Sequence, residues 1–327
     1  MTDALSDVTI LVPGELIGHA VEQVARSFRL IRIEDSDPAL IDPETAGAVR
    51  GIAGMAAISA AFIDALPRLE IIAHFGVGYD GVDVQHAARR GVMVTNTPDV
   101  LTEEVADTAL GLLINTLREL PRAEQWLRAG RWERDGHYPL SHGTLRGRRA
   151  GIFGMGRIGL AVARRLEALG LSIAYHNRRR VEGVSYTHYP TLIGLAEAVD
   201  TLISVAPGGP STEKAVNATV LKALGPNGVF INIGRGSAVD QPALIAALRD
   251  GTIRAAGLDV FADEPHVPRE LLDLPNASLL PHVGSASVHT RNAMADLQVD
   301  NLVSWFSEGR ALTPVPETQH VKKRGRA

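Results

Sequence analysis

Short β-rich apolar runs alternate with amphipathic helical stretches from one end of the chain to the other, and few folds accept that alternation. A first series comprises "VTILV" (8–12), "RLIRI" (29–33), "GMAAI" (54–58), "LEIIAHF" (69–75) and "VMVT" (92–95). A second comprises "AGIFG" (150–154), "LSIAY" (171–175), "TLISVA" (201–206), "VFINI" (229–233), "AAGLDV" (255–260) and "ASLL" (277–280). A strand that returns through a helix pairs in parallel, and a parallel sheet needs helices over both faces. The predicted class is therefore α/β, with two doubly wound parallel-sheet domains of five and then six strands. At 327 residues and 45% hydrophobic content, the chain supports two such cores.

Between the series, Asn96-Thr-Pro98 ends one pattern, and Thr102, Glu104 and Asp107 open a long amphipathic helix with acidic residues near its positive end. After the last strand, "SVHTRNAMADLQVDNLVSWFSEG" reads as another long helix, expected to return and pack on the first series. Crossings are predicted near 97–101 and 286–290. Residues 1–98 with 288–327 then form one domain and 99–287 a second, with the cleft between them as the expected ligand site.

Several function classes fall away. A formal net charge of −4 provides no broad cationic face, so neither nucleic acid nor a membrane is an expected partner. Every apolar run is far shorter than the roughly 18–20 residues that span a bilayer. The absence of cysteine excludes disulfides, thiolate metal sites and cysteine nucleophiles, fits a reducing cytoplasm, and no metal centre is expected. The N-terminus is read as lacking a signal peptide, and the C-terminal "VKKRGRA" as a short solvated tail.

The sharpest local signal is Gly154-Met-Gly-Arg-Ile-Gly159, a G-x-G-x-x-G loop entered by the strand "AGIF" and left by the helical "RIGLAVARRLEALG". In that setting Gly154 turns tightly, Gly156 lets backbone N–H groups approach a pyrophosphate, and Gly159 permits close helix packing. The helix start supplies positive potential. Gly154, Met155, Gly156, Arg157, Ile158 and Gly159 are thus the predicted cofactor contacts. At the end of the next strand an NAD-preferring site carries Asp or Glu, but here stand His176, Asn177 and then Arg178, Arg179 and Arg180. A carboxylate would repel a 2′-phosphate, whereas guanidinium groups pair with it. NADP(H) is the expected cofactor, with NAD(H) a weaker alternative. Asn177, Arg178 and Arg179 are the expected ligands, and Arg180 is expected to face solvent.

Three polar residues follow later strands: Arg235 in "INIGRGSAVD", Glu264 in "LDVFADEP" and His282 in "LLPHVGSAS". Strand ends of this kind are where open α/β sheets bind ligands. With the glycine loop, "HFGVGYDGVDV" (74–84) and "NTPDVLTEEVADTALGLLI" (96–114), the set resembles the D-2-hydroxyacid dehydrogenase family along essentially the whole chain, and most closely its glyoxylate/hydroxypyruvate reductase branch, which includes hydroxyphenylpyruvate reductases. The resemblance implies a Rossmann coenzyme domain inserted in a flavodoxin-like substrate domain. It implies reduction of a small 2-oxoacid such as glyoxylate or hydroxypyruvate, with aromatic pyruvates next, by a homodimer that pairs through the coenzyme domain.

By the same resemblance Arg235 holds the substrate carboxylate and polarises the ketone, His282 is the general acid, and Glu264 bonds the imidazole. Hydride transfer leaves charge on the carbonyl oxygen, which calls for a proton from a group titrating near neutrality. An anionic Glu264 favours the imidazolium form. Backbone amides of Val77 and Gly78, and the Ser285 hydroxyl, are further substrate contacts. Ile233, Asp259 and His282 complete the cofactor set, with Asp259 either beside the nicotinamide carboxamide or in a packing or capping role at its strand end. A tryptophan from a neighbouring subunit reaches the site in this branch; Trp126, Trp132 and Tyr138 all lie in the relevant segment, and none maps uniquely. Two alternatives keep the fold: a phosphite dehydrogenase-like oxidoreductase, and an NAD(P)-sensing, corepressor-like binding protein. A formate dehydrogenase would carry glutamine in place of Glu264.

Overall fold

The computed structural model describes residues 5–141 and 143–323. The chain divides into two compact units: the part up to Leu101 with the part from Ser287 onward, and Thr102–Ala286. The last residues of the basic C-terminal run, 324–327, lie outside the described residues.

In the first unit, β1 (Thr9–Pro13), β2 (Arg29–Ile33), β3 (Val49–Gly54), β4 (Ile71–His74) and β5 (Met93–Thr95) form one sheet in the order β2-β1-β3-β4-β5. Every pair is parallel. Strand β1, central and covered on both faces, is buried at every residue, while β2 at the edge is half-exposed. The third strand corrects the expectation: it runs Val49–Gly54 rather than 54–58. Arg50 and Gly51 disguise it. Arg50 stays inside because its guanidinium meets Glu70 at 2.6 Å, and Gly51 is there because a Cβ would come within 2.7 Å of Ile10. The apolar-looking residues after Gly54 form a turn that leaves Met55 exposed. The Val288–Glu308 helix packs on the Gly18–Ser27 helix and on β3 and β4, burying Trp305 and donating a hydrogen bond from Gln298 to the Ala73 carbonyl at 2.7 Å.

The second unit holds seven parallel strands, one more than expected: β6 (Arg149–Phe153), β7 (Ser172–His176), β8 (Thr187–His188), β9 (Thr201–Ser204), β10 (Val229–Asn232), β11 (Ala255–Leu258) and β12 (Ala277–Leu279). The extra one, β8, has two residues and lies at an edge, too short to leave a pattern in sequence. The order is β12-β11-β10-β9-β6-β7-β8. The chain moves outward from β6 in one direction and returns to build in the other, so the topological switch point lies between β6 and β9. The Thr102–Arg118 helix packs on the Arg157–Ala168 helix and on β11. Among the described residues no helix is long and apolar enough to cross a membrane.

Candidate active site

The glycine loop leaves β6 at the switch point. Gly154 takes φ +102°, a conformation L side chains rarely adopt, and a Cβ there would lie 2.9 Å from the backbone of Ala206 on the loop after β9. A Cβ on Gly159 would lie 2.4 Å from the Gly154 carbonyl oxygen. Packing alone therefore demands both glycines. At Gly156 a Cβ would meet nothing within 4 Å, so its lack of a side chain serves whatever approaches from outside. Gly156 caps the Arg157–Ala168 helix without a side-chain bond, and the first turn carries no acidic residue. A positive helix end with no side-chain cap suits an anion, and the residues present fit the pyrophosphate of a dinucleotide.

After β7, Arg178, Arg179 and Arg180 are all exposed. Asn177 is engaged within the protein: its Oδ1 accepts from the Met155 amide at 2.6 Å and its Nδ2 donates to the Met155 carbonyl at 3.3 Å. Its own carbonyl meets His188 Nε2 at 3.0 Å. Asn177 thus braces the glycine loop against the end of β7.

Beyond β10, a buried asparagine shapes the turn that carries Arg235. Asn232 Nδ2 donates to the Arg235 carbonyl at 2.9 Å, and its Oδ1 accepts from the Gly234 amide at 3.2 Å. Arg235 Nη1 donates to the Gly234 carbonyl at 2.8 Å. The next residue must be glycine, since a Cβ on Gly236 would fall 1.8 Å from the Phe261 carbonyl oxygen. That contact lays the Arg235 turn against the turn after β11. There Glu264 accepts from the Phe261 amide through Oε1 at 2.9 Å, and its Oε2 meets His282 Nδ1 at 2.7 Å. Burial acts to raise the Glu264 pKa, but the His282 hydrogen bond, the Phe261 amide and the charges of His282 and Arg235 together hold it below the ordinary carboxylate value. Guanidinium and imidazole therefore act on one carboxylate, and the three residues singled out in sequence are assembled in one place.

His282 has φ +53°, a left-handed conformation that costs a non-glycine residue about 1–3 kcal/mol. Asp259 holds it there. The Asp259 carbonyl accepts from the His282 amide at 2.8 Å, and its carboxylate accepts from the amides of Val283 at 2.7 Å and Gly284 at 2.8 Å. Burial raises the Asp259 pKa, against the opposing pull of those amides and of the His282 charge. The bonds give Asp259 the capping role that its strand-end position left open, with partners two dozen residues away that the sequence does not single out. The Ile233 side chain packs against Gly284, and Ser285, half-buried, follows.

In the other unit, Val77 and Gly78 lie half-buried on the loop that leaves β4 at the carboxyl edge of its sheet. Of the aromatic candidates, Trp126 and Tyr138 pack edge to face with centroids 5.6 Å apart, and the Arg131 guanidinium lies 3.6 Å over the Trp126 ring. Trp132 is 56% exposed.

Residues 110–284 match the family described as D-isomer specific 2-hydroxyacid dehydrogenase, NAD binding domain. The chain is 62% identical to the NADPH-dependent glyoxylate/hydroxypyruvate reductase of Sinorhizobium meliloti, whose structure was solved with NADP and malonate; the superposition has a TM-score of 0.96 and covers 98% of this chain and 100% of that one. It is 42% identical to glyoxylate/hydroxypyruvate reductase A of Arabidopsis thaliana over 95% of this chain and 100% of the relative. Identity to the hydroxyphenylpyruvate reductase of Plectranthus scutellarioides is 47% over 94% of this chain and 99% of that protein. With this breadth of match and this arrangement of loop, guanidinium, carboxylate and imidazole, the chain belongs to the D-isomer specific 2-hydroxyacid dehydrogenase family.

Proposed function

We propose that the protein is an NADPH-preferring reductase that converts small 2-oxoacids, glyoxylate and hydroxypyruvate first and aromatic pyruvates next, to D-2-hydroxyacids. The observation that carries this reading is the bond from His282 Nδ1 to a Glu264 carboxylate kept anionic beside Arg235. NADPH, when bound at the glycine loop, supplies the hydride. With Nδ1 committed to Glu264, His282 offers its transferable proton from Nε2 to the carbonyl oxygen. Arg235 holds the substrate carboxylate by two parallel hydrogen bonds and draws charge toward the ketone oxygen. The amides of Val77 and Gly78 are a second hold on the carboxylate, and the Ser285 hydroxyl a further polar contact. Asn177 acts through the loop it braces, while Ile233 and Asp259 back the nicotinamide end. The working form is a homodimer joined through the coenzyme unit, where Leu127, Trp132 and Leu140 are exposed apolar side chains of the 101–143 segment; a monomer mass by light scattering would remove that part.

The reading is tested by the loss of 340 nm absorbance when the protein is mixed with NADPH or NADH and a panel of 2-oxoacids. Oxidation of NADPH by glyoxylate or hydroxypyruvate is expected. Tight NADPH binding without turnover across the panel would instead indicate a nucleotide-sensing binding protein.

Cofactor preference has its own test. A charge-assisted hydrogen bond contributes about 1.5–3 kcal/mol, and less when exposed. Arg178→Ala combined with Arg179→Ala should therefore raise KM for NADPH about 10- to 100-fold while changing KM for NADH only a few-fold. Equal changes for both cofactors would show that these arginines do not read the 2′-phosphate.

A further inference from the structure

We propose that Thr97, Asn96 and His74 form a three-point clamp on the carbonyl side of the Gly76–Gly78 loop, and so act as positioning residues that aim the loop amides at the substrate carboxylate. The inference rests on the function proposed above and names what presets its second carboxylate hold.

Three successive carbonyls of this loop are tied down. The Gly76 carbonyl accepts from the Thr97 amide at 2.8 Å, and the Gly76 amide donates back to Thr97 Oγ1 at 3.1 Å. The Val77 carbonyl accepts from Asn96 Nδ2 at 2.8 Å. The Gly78 carbonyl lies 3.0 Å from His74 Nε2, which must carry the proton because its partner can only accept. Each peptide group is planar and trans, so its N–H points opposite to its C=O. Fixing the Gly76 carbonyl therefore fixes the direction of the Val77 N–H, and fixing the Val77 carbonyl fixes that of Gly78. No hydrogen bond among the described residues uses either of those two amides. They are two adjacent donors whose orientation is already decided, and preset donors need no reorganisation when an anion arrives.

The clamp is itself held. Thr97 is fully buried and His74 is 7% exposed. Asn96 is gripped on both sides of its backbone: its carbonyl accepts from Thr313 Oγ1 at 2.6 Å and its amide donates to the Thr313 carbonyl at 3.3 Å. Asn301 on the Val288–Glu308 helix donates to Thr313 Oγ1 at 2.9 Å. Gly76 has φ +150°, and a Cβ there would lie 3.4 Å from His74 Nε2 and 3.5 Å from the Gly78 carbonyl oxygen. Glycine at this position keeps the His74 bond clear.

The experiment uses the whole chain and three variants: Asn96→Ala, His74→Leu and His74→Gln. The clamp predicts that Asn96→Ala and His74→Leu raise KM for glyoxylate about 10- to 100-fold, while NADPH affinity by fluorescence and Tm stay close to wild type. His74→Gln, whose amide can replace the imidazole donor, should restore most of the loss. Unchanged KM, parallel losses of NADPH affinity and Tm, or His74→Gln as poor as His74→Leu would each overturn the clamp. Amide NMR during an oxamate titration separates this failure from failure of the enzyme reading. Shifts at Val77 and Gly78 that disappear in Asn96→Ala support the clamp even if wild type turns over no 2-oxoacid, whereas a wild type that reduces glyoxylate without such shifts overturns the clamp alone.

Discussion

Replacing His282 with alanine should lower kcat for 2-oxoacid reduction about 10²- to 10⁴-fold, the usual loss when a positioned acid is removed, while NADPH affinity stays within a few-fold. The confinement to kcat follows from the local structure. The left-handed backbone at residue 282 is held by bonds from its own amide and the next two amides to Asp259, none of which involves the imidazole. The variant keeps a Cβ, so the loop retains the same strain and the same restraint. About half of the His282 side chain is exposed, so little packing is lost. Stopped-flow or steady-state rates beside a fluorescence titration of NADPH check the claim, and an intact kcat would remove the histidine from the mechanism.

Glu264→Gln separates charge from hydrogen bonding at the same site. The amide oxygen can still accept from Nδ1, but the anion is gone. Against burial, the His282 hydrogen bond and charge, the Phe261 amide and the Arg235 charge hold the Glu264 pKa below its ordinary value, so the carboxylate stays anionic as pH falls through the usual carboxylate range. A rate that depends on this anion should therefore fall only at the lower pH where Glu264 takes up a proton. Glu264→Gln should lower kcat and lose that acidic arm. A Glu264→Gln profile that keeps the wild-type acidic arm would mean that Glu264 orients the ring without its charge mattering to the rate.

What could be read from the chain alone depended on how locally each feature is encoded. Central parallel strands such as β1 and β10 are continuous apolar runs because both faces are covered, and they stand out. Strand β3 did not, because Arg50 is satisfied by Glu70, just before the neighbouring strand β4, and Gly51 is required by the side chain of Ile10. The glycine loop was legible because strand, turn and helix start are contiguous. Its brace was not: Asn177 looks like a nucleotide ligand by position, and only the fold shows both its side-chain atoms joined to Met155. Gly236 reads as one more loop glycine until Phe261 is seen against it. The chemistry was therefore visible in residue types at strand ends, whereas the groups that hold those residues still are tertiary facts.

Arg235→Ala should affect both kinetic constants, and that pattern distinguishes a residue that binds substrate and also stabilises developing charge. Loss of a charge-assisted carboxylate contact of about 1.5–3 kcal/mol raises KM roughly 10- to 100-fold. Loss of a donor aimed at the forming oxyanion lowers kcat by a further ~10²–10³. The fall in kcat/KM should thus reach about 10³–10⁵, measured with varied glyoxylate at saturating NADPH. The turn should survive the change, because its shape comes from Asn232 bonding the backbone of residues 234 and 235 and from Gly236 against Phe261. Unaltered Tm and NADPH affinity are the controls. Arg235→Lys keeps the charge but loses the planar fork, so it should recover part of KM and little of kcat. The Arg235 charge also contributes to lowering the Glu264 pKa, so in Arg235→Ala the acidic arm of the pH–rate profile should move to higher pH. If KM for glyoxylate were unchanged in Arg235→Ala, the carboxylate would have to be held elsewhere, and the assembly of guanidinium, carboxylate and imidazole would lose its substrate-binding member.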